Sequence, residues 1–255
     1  MASVSIVLLT RNRPQELAQT LERVAKQTHL ELELVLVRDG GEPLSDAVVE
    51  RIDALEFPTQ RIEHDDPAEG IARSRNRGVE AARADAVAFL DDDDLWEPGH
   101  VGRLAAALDR DAKTDVVYTD AWVANVESGQ RRALAREFDL KVFGRDGFIP
   151  PSAMLARRDA FPRFGLFDPE LTYSEDWDWL LRVARGKGLI ERLPGASVTV
   201  RIHAGGMSAL HPDRLNERRR CLEILSKRHG LAPIQPKTFW EVAETLCPDG
   251  NVSTR

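Results

Sequence analysis

The stretch Phe89-Leu90-Asp91-Asp92-Asp93-Asp94-Leu95-Trp96 sets four aspartates in a row directly after the apolar run from Ala86 to Leu90. Adjacent carboxylates oppose each other's ionisation, so the run costs stability unless solvent or a bound cation offsets it. A divalent ion is the first candidate. Hard cations take oxygen ligands, and Asp91 and Asp93, two residues apart where the chain turns out of a strand, can share one coordination sphere. An EF-hand loop does not fit, because its sixth position from Asp91 is Trp96 instead of glycine and its twelfth is Gly102 instead of glutamate. The competing explanation has the later aspartates, Asp94 above all, capping a helix that starts near Pro98. That would use one or two of the four. A second acidic cluster, Glu175-Asp176-Trp177-Asp178 after Ser174, reads by itself as first-turn acids facing a helix macrodipole. Arg73, Arg75 and Arg77 recur along another helix, where Arg75 could reach a phosphate or all three could form a solvated face. His203, at a strand end before Gly205-Gly206, is better placed for ligation than most lone histidines.

The elements that must position these residues alternate. Val4 to Leu9 is a continuous apolar run, as expected of a strand buried on both faces, and Leu17, Leu21, Val24 and Ala25 follow at helical spacing after Asn12 and Pro14, which supply the helix start. Leu32 to Val37 forms the second strand, a helix opened by Ser45 follows, and Arg61 to His64 is a short third strand. Gly70 to Ala84 is a helix, Ala86 to Leu90 a strand, and Pro98 to Arg110 a helix. This order predicts a mostly parallel, helix-covered sheet with ligands at the carboxyl ends of the strands, where Arg38 to Gly41 and Asp91 to Asp94 sit. The later half is less regular. Asp115 to Val126 and Ala196 to His203 are strands, Ser174 to Gly188 is a helix capped by Ser174, and Pro150-Pro151 forbids regular helix between them. No linker or repeat divides the chain, so the second half completes a site begun by the first.

Read in order, VSIVLLTRNRPQELAQTLERVAKQT, LELVLVRDGG, GIARSRNRGVEAARADAVAFLDDDDLWEPGHV, FIPPSAMLARRDAF with GLFDPELTYSEDWDWLLRVA, and RIHAGGMSA resemble the motifs of family 2 glycosyltransferases over roughly residues 4–209. The resemblance implies an α/β GT-A fold, Rossmann-like, in one domain (1–210). A nucleotide-sugar half (1–110) would precede an acceptor half (111–210), with a helical extension (211–255), and sugar transfer would invert the anomeric centre. It further implies that Leu9, Thr10 and Arg11 lie against the nucleobase and that Asp39 hydrogen-bonds it. A carboxylate there suits the ring N3–H of uracil or thymine, which favours UDP- or dTDP-sugars, while an ordinary turn role competes. Asp91 and Asp92 match the family's D-x-D motif through Asp93, which would ligate Mn²⁺ or Mg²⁺ on the diphosphate with Asp91 and His203 near it. Arg75 would reach the donor phosphates. Asp176 becomes the general base, Glu175 an acceptor contact, and Glu175 and Asp178 stand behind Asp176 as alternative bases. Of Trp177 and Trp179 only one can stack on a sugar, because that spacing cannot share one helix face; Trp177 is the acceptor-side choice, with Phe148 to Ala153 forming the pocket floor.

Composition bounds the rest. The chain has 255 residues, 42% hydrophobic and 30% charged, enough for a substantial core. A net charge of -7 argues against general nucleic-acid binding. Two cysteines, Cys221 and Cys247, are too few for a disulfide framework and point to a reducing compartment. No signal peptide or apolar run of membrane-spanning length is present, so the expectation is a cytoplasmic protein, with peripheral membrane contact left open. The partners expected are a nucleotide sugar and a carbohydrate, lipid-linked or small-molecule acceptor. Two other classes stay open on sequence grounds. A nucleotidyltransferase would want a glycine-rich phosphate loop that TRNRPQE lacks, and a non-catalytic sugar binder would not need both Asp93 and Asp176.

Overall fold

All seven residues of β1 (Val4–Thr10) are buried, which is why its sequence is apolar without alternation. In the computed structural model, which describes residues 1–206 and 212–250, the chain continues through α1 (Pro14–Ala25), β2 (Leu32–Asp39), α2 (Asp46–Asp53), β3 (Thr59–His64), α3 (Ile71–Ala81) and β4 (Ala86–Asp91). These strands lie parallel in the order β3-β2-β1-β4. Successive residues serve opposite layers. Val4, Ile6 and Leu8 pack with Leu17 and Leu21 of α1, while Val7 and Leu9 pack with Ala72 and Val79 of α3. Gly78 lets α3 lie directly on β1, since a Cβ there would sit 2.3 Å from Val7 Cγ1.

The rest of the chain extends the sheet: β5 (Leu95–Trp96), α4 (His100–Leu108), β6 (Thr114–Asn125), β7 (Arg131–Leu134), α5 (Leu140–Phe143), β8 (Met154–Arg157), α6 (Ala160–Phe164), α7 (Glu175–Arg185), β9 (Leu189–Ile202), α8 (Pro212–His229) and α9 (Phe239–Leu246). β8 enters antiparallel between β4 and β6, β9 runs parallel to β6, and β5 and β7 pair antiparallel with β9 and β6. Six of the nine strands therefore share one direction, and the sheet is the mostly parallel, helix-covered α/β arrangement expected. The Met207 to Ala209 end of the fifth motif and the 210/211 boundary lie outside the described residues.

Several local expectations are corrected. Strands β5, β7 and β8 have no counterpart in the sequence reading, because two to four residues give too short a pattern and β7 carries Arg131 and Arg132 on an edge. Arg13, not Asn12, takes the cap position of α1; Asn12 is left-handed (φ 55°) and its Oδ1 accepts from the Glu42 amide. Ser174 precedes α7 but is left-handed (φ 63°) and makes no side-chain cap bond. Asp94 does not cap α4, which starts after Gly99; it is buried and accepts from the Arg201 amide of β9.

Candidate active site

Thr10, Asp39 and Asp91 end β1, β2 and β4 side by side, and the cleft opens at these carboxyl ends. Here the four aspartates take different sets of partners, with Arg13 shared by Asp92 and Asp93. Asp91 Oδ1 accepts from Arg75 Nη2 (2.9 Å). Asp92 accepts from Thr10 Oγ1 (2.8 Å) and Arg13 Nη1 (3.0 Å). Asp93 Oδ2 lies 2.7 Å from Arg13 Nη1 and 3.0 Å from His203 Nε2. Asp94 turns inward to β9. Burial pushes the Asp92 carboxyl up to about 6 against the pull of Arg13, and burial with its aspartate neighbours raises Asp94 well above the ordinary carboxylate range. The repulsion that called for a bound ion is thus offset by Arg13 and Arg75, and charge relief alone does not require a metal.

The capacity to hold one lies elsewhere. Among the described residues, no three His, Cys, Asp or Glu side chains gather closely enough to enclose a metal by themselves. Asp93 and His203 do converge, and an ion of the Mg²⁺ class on a nucleotide diphosphate needs only one or two protein ligands because phosphate oxygens supply others. The donor set fits an ion completed by substrate. Arg13, which also donates to Gly205 O (2.9 Å), is the cation held against these carboxylates in this structure. Arg201 reaches the same point, donating through Nε to Asp93 O and through Nη1 to Gln19 Oε1 (2.8 Å).

A cavity of about 700 Å³ fronts this cluster, and Leu9, Thr10, Arg11, Asp39 and Asp91 to Asp94 border it. Each Asp39 oxygen accepts a backbone amide, Glu69 N at 2.7 Å and Gly70 N at 2.9 Å, so this carboxylate fixes the loop leading into α3 beside the cavity. Arg38, at the same strand end, is turned away to Glu63, Asp65 and Gly41 O. A second, smaller cavity adjoins the first; Ile71, Asp91, Pro151, Thr172, Tyr173 and Phe239 line both. Asp176 and Trp177 border only the second, as does Phe143.

Arg75 divides the two acidic groups. It is not on a solvated face: with 2% exposure it bridges Asp91 and Glu175, and its Nε is buried without a partner. Glu175, expected at the acceptor, has its own carboxylate committed to Arg75 and is equally buried, so it positions instead of facing a substrate. Asp176 differs. Burial raises its carboxyl above the ordinary carboxylate range while Arg75 pulls the other way. Asp178 is excluded as an alternative base, because its two oxygens are occupied by Arg182, Arg228 and His229. Trp179 is core, stacked on Phe161 at 4.6 Å, whereas Trp177 is half-buried at the cavity with its Nε1 anchored on Phe143 O (2.8 Å).

Sequence reasoning missed Arg13, Arg201 and the contribution of α8 and α9. Arg13 was visible in the loop after β1, and Arg201 lies two residues before His203, at the end of β9. The C-terminal residues Arg218, Lys237 and Phe239 carry no motif.

Comparison with known proteins bears on the family and the fold. The family model "Glycosyl transferase family 2" matches residues 5–164. An uncharacterised glycosyltransferase of Bacillus subtilis, YwdF, is 31% identical over 92% of this chain and 87% of its own. A PGL/p-HBAD biosynthesis glycosyltransferase of Mycobacterium bovis is 30% identical over 80% and 78%. Among solved structures, S. aureus TarS 1-349 in complex with UDP-GlcNAc superposes with a TM-score of 0.69 at 18% identity, covering 91% of this chain and 68% of that one. The chain spans 39% of the longer TarS structure. Mannosyltransferase PcManGT from Pyrobaculum calidifontis, in complex with GDP-Man and Mn²⁺, gives 0.66 at 15% identity, covering 92% and 66%. The fold is that of the GT-A enzymes, and the chain belongs to the family 2 glycosyltransferases.

Proposed function

We propose that this glycosyltransferase moves a sugar, with inversion, from a UDP- or dTDP-linked donor to an acceptor hydroxyl, with Asp176 as general base. The observation that carries the reading is the placement of Asp176. Its carboxylate borders a cavity that shares a wall, through Asp91, with the larger cavity at the strand ends. A donor in the larger cavity and an acceptor in the smaller one would meet at that wall. The acceptor oxygen forms its bond to the anomeric carbon as the bond from that carbon to the diphosphate oxygen breaks. The diphosphate leaves with the electron pair, and the hydroxyl proton passes to Asp176. Attack from the acceptor side, opposite the leaving group, inverts the centre. A carboxyl raised by burial is a stronger base than a solvated one, which suits this role.

Asp93 and His203, with Asp91 beside them, would hold Mn²⁺ or Mg²⁺, which when bound offsets the negative charge that develops on the diphosphate. Arg13 and Arg201 orient these carboxylates, and Arg75 holds Asp91 and Glu175 in place. Thr10, Arg11 and Asp39 border the space for the nucleoside, and a base N3–H would be a further bond to a carboxylate already fixed by two amides. The TarS complex with UDP-GlcNAc and the PcManGT complex with GDP-Man and Mn²⁺ support nucleotide-sugar use and a divalent ion. Residues 1–110 supply most of the donor side, with 111–210 and the C-terminal helices on the acceptor side. Free Cys221 and Cys247 support a reducing, cytoplasmic setting. The test is Asp176→Asn: UDP affinity stays within about twofold while transfer, or donor hydrolysis with water as acceptor, falls by about 10²–10⁴-fold. Hydrolysis at the wild-type rate would remove Asp176 from the chemistry.

A further inference from the structure

The outer wall of the smaller cavity comes from a part of the chain beyond the family match at residues 5–164: Arg218 and Leu222 of α8, then Gln235, Lys237, Phe239 and Val242. Its polar feature is two cations on one carboxylate. The Asp146 side chain is fully buried and accepts from Lys237 Nζ at 2.6 Å and Arg145 Nε at 2.7 Å. Each Asp146 oxygen takes one of these donors, but the carboxylate carries a single negative charge, so one of the two positive charges is left over at the rim. Both cations also reach solvent, Lys237 at 31% and Arg145 at 66% side-chain exposure. Arg218, which donates to Lys237 O (2.8 Å), adds a third positive group to the same wall.

The inner end has the opposite balance. Asp91, Glu175 and Asp176 gather there around the buried guanidinium of Arg75, and Arg218 also acts on Asp176. The rest of the lining includes apolar side chains, among them Phe143, Ile149, Trp177, Leu222 and Val242. An acceptor that fits this gradient keeps any negative charge away from Asp176, presents an apolar middle, and sends only its hydroxyl inward.

We propose that the acceptor is a hydroxyl compound with an apolar middle and an anionic oxyacid group, which docks on Lys237 and Arg145 while its hydroxyl lies at Asp176. This rests on the acceptor reading of the smaller cavity. The charge arrangement makes Lys237 and Arg145 specificity determinants, because an uncharged analogue gains nothing from the excess cation, whereas an anion forms charge-assisted bonds with it.

Three probes that differ only in the distal group test the inference by calorimetry on the whole chain: ω-hydroxyhexanoate, ω-hydroxyhexyl phosphate and the uncharged ω-hydroxyhexanamide. The expected result is that at least one anion binds about tenfold or more tightly than the amide. That lead collapses in Lys237→Gln and in Arg145→Gln, the second being an exposed change that does not endanger the fold. The stronger of the two anions identifies carboxylate or phosphate as the natural group. Equal binding of all three probes, no binding by any, or a lead that survives both substitutions overturns the proposal. UDP titrated into the same samples tests the donor side separately, and the anion preference stands or falls whichever way UDP behaves.

Discussion

Asp93 shows how much one carboxylate can carry. It is met by Arg13 on one side and His203 on the other, and its backbone carbonyl accepts from Arg201. If it is also the metal ligand on the diphosphate, Asp93→Ala leaves Arg13 paired with Asp92 and removes the anchor for the ion. UDP affinity in Mn²⁺ then drops to the metal-free value, a loss of about 1.5–3 kcal/mol typical of a bond to a charged group, readable by calorimetry with and without the ion. A mutant that gains as much from Mn²⁺ as the wild type would refute the assignment. Asp176 contributes a pH signature. Its folded carboxyl lies above the ordinary value of 3.8, and only the ionised form accepts a proton. The acidic limb of log kcat/KM against pH should therefore break above that value, and the break should vanish in Asp176→Asn. The acidic clusters were legible in the sequence as chemistry, but their partners were not. Nothing in RSRNRG tells that Arg75 is buried between two carboxylates while Arg73 and Arg77 are not, because that depends on which helix face meets the sheet.

At the scale of elements, α3 is the part that couples packing to the site. Its Gly78 lies on Val7 of β1, and Arg75, one turn earlier, reaches from the same face to Asp91 of β4 and Glu175 of α7. Gly78→Ala adds about 1 kcal/mol of helix propensity but puts a methyl 2.3 Å from Val7 Cγ1, and overpacking of that kind costs about 1–3 kcal/mol. The expected net is a loss of about 1 kcal/mol by urea denaturation, with donor hydrolysis falling although residue 78 touches neither cavity. Unchanged stability and turnover would mean that α3 shifts freely. The parallel core β3-β2-β1-β4 was readable because fully buried strands give unbroken apolar runs. Strand β8 was not, since Met154–Arg157 owes its place between β4 and β6 to the partners on both sides and not to a pattern of its own.

Across the whole molecule, Asp178 joins α7 to the end of α8. Its oxygens take Arg182 Nε (2.9 Å), Arg228 Nη1 (3.0 Å) and His229 Nε2 (2.8 Å). Burial alone would raise this carboxyl, but the His229 and arginine bonds outweigh it and hold it down at about 2. A carboxyl depressed on folding stabilises above its unfolded value, near 3.9, and that contribution is lost as pH falls through about 2. The difference amounts to about 2–3 kcal/mol. Asp178→Asn should therefore lower unfolding free energy near pH 7 by at least about that amount, with the gap from wild type narrowing as acid approaches pH 2. A gap that stays constant with pH would show that the carboxylate carries no such linkage.

The sequence by itself determined the fold class, the strand ends where ligands gather and the two acidic clusters, because burial on both faces, turn chemistry and like-charge runs are local properties. Tertiary structure alone decided which acids are spent and which stay available. Asp94, Glu175 and Asp178 are engaged by residues 107, 100 and 51 positions away, and Asp176 is left lining the cavity. The same holds for the outer wall of the smaller cavity. Lys237 is 91 residues from Asp146, and a contact over that separation leaves no spacing in the chain from which it could be read.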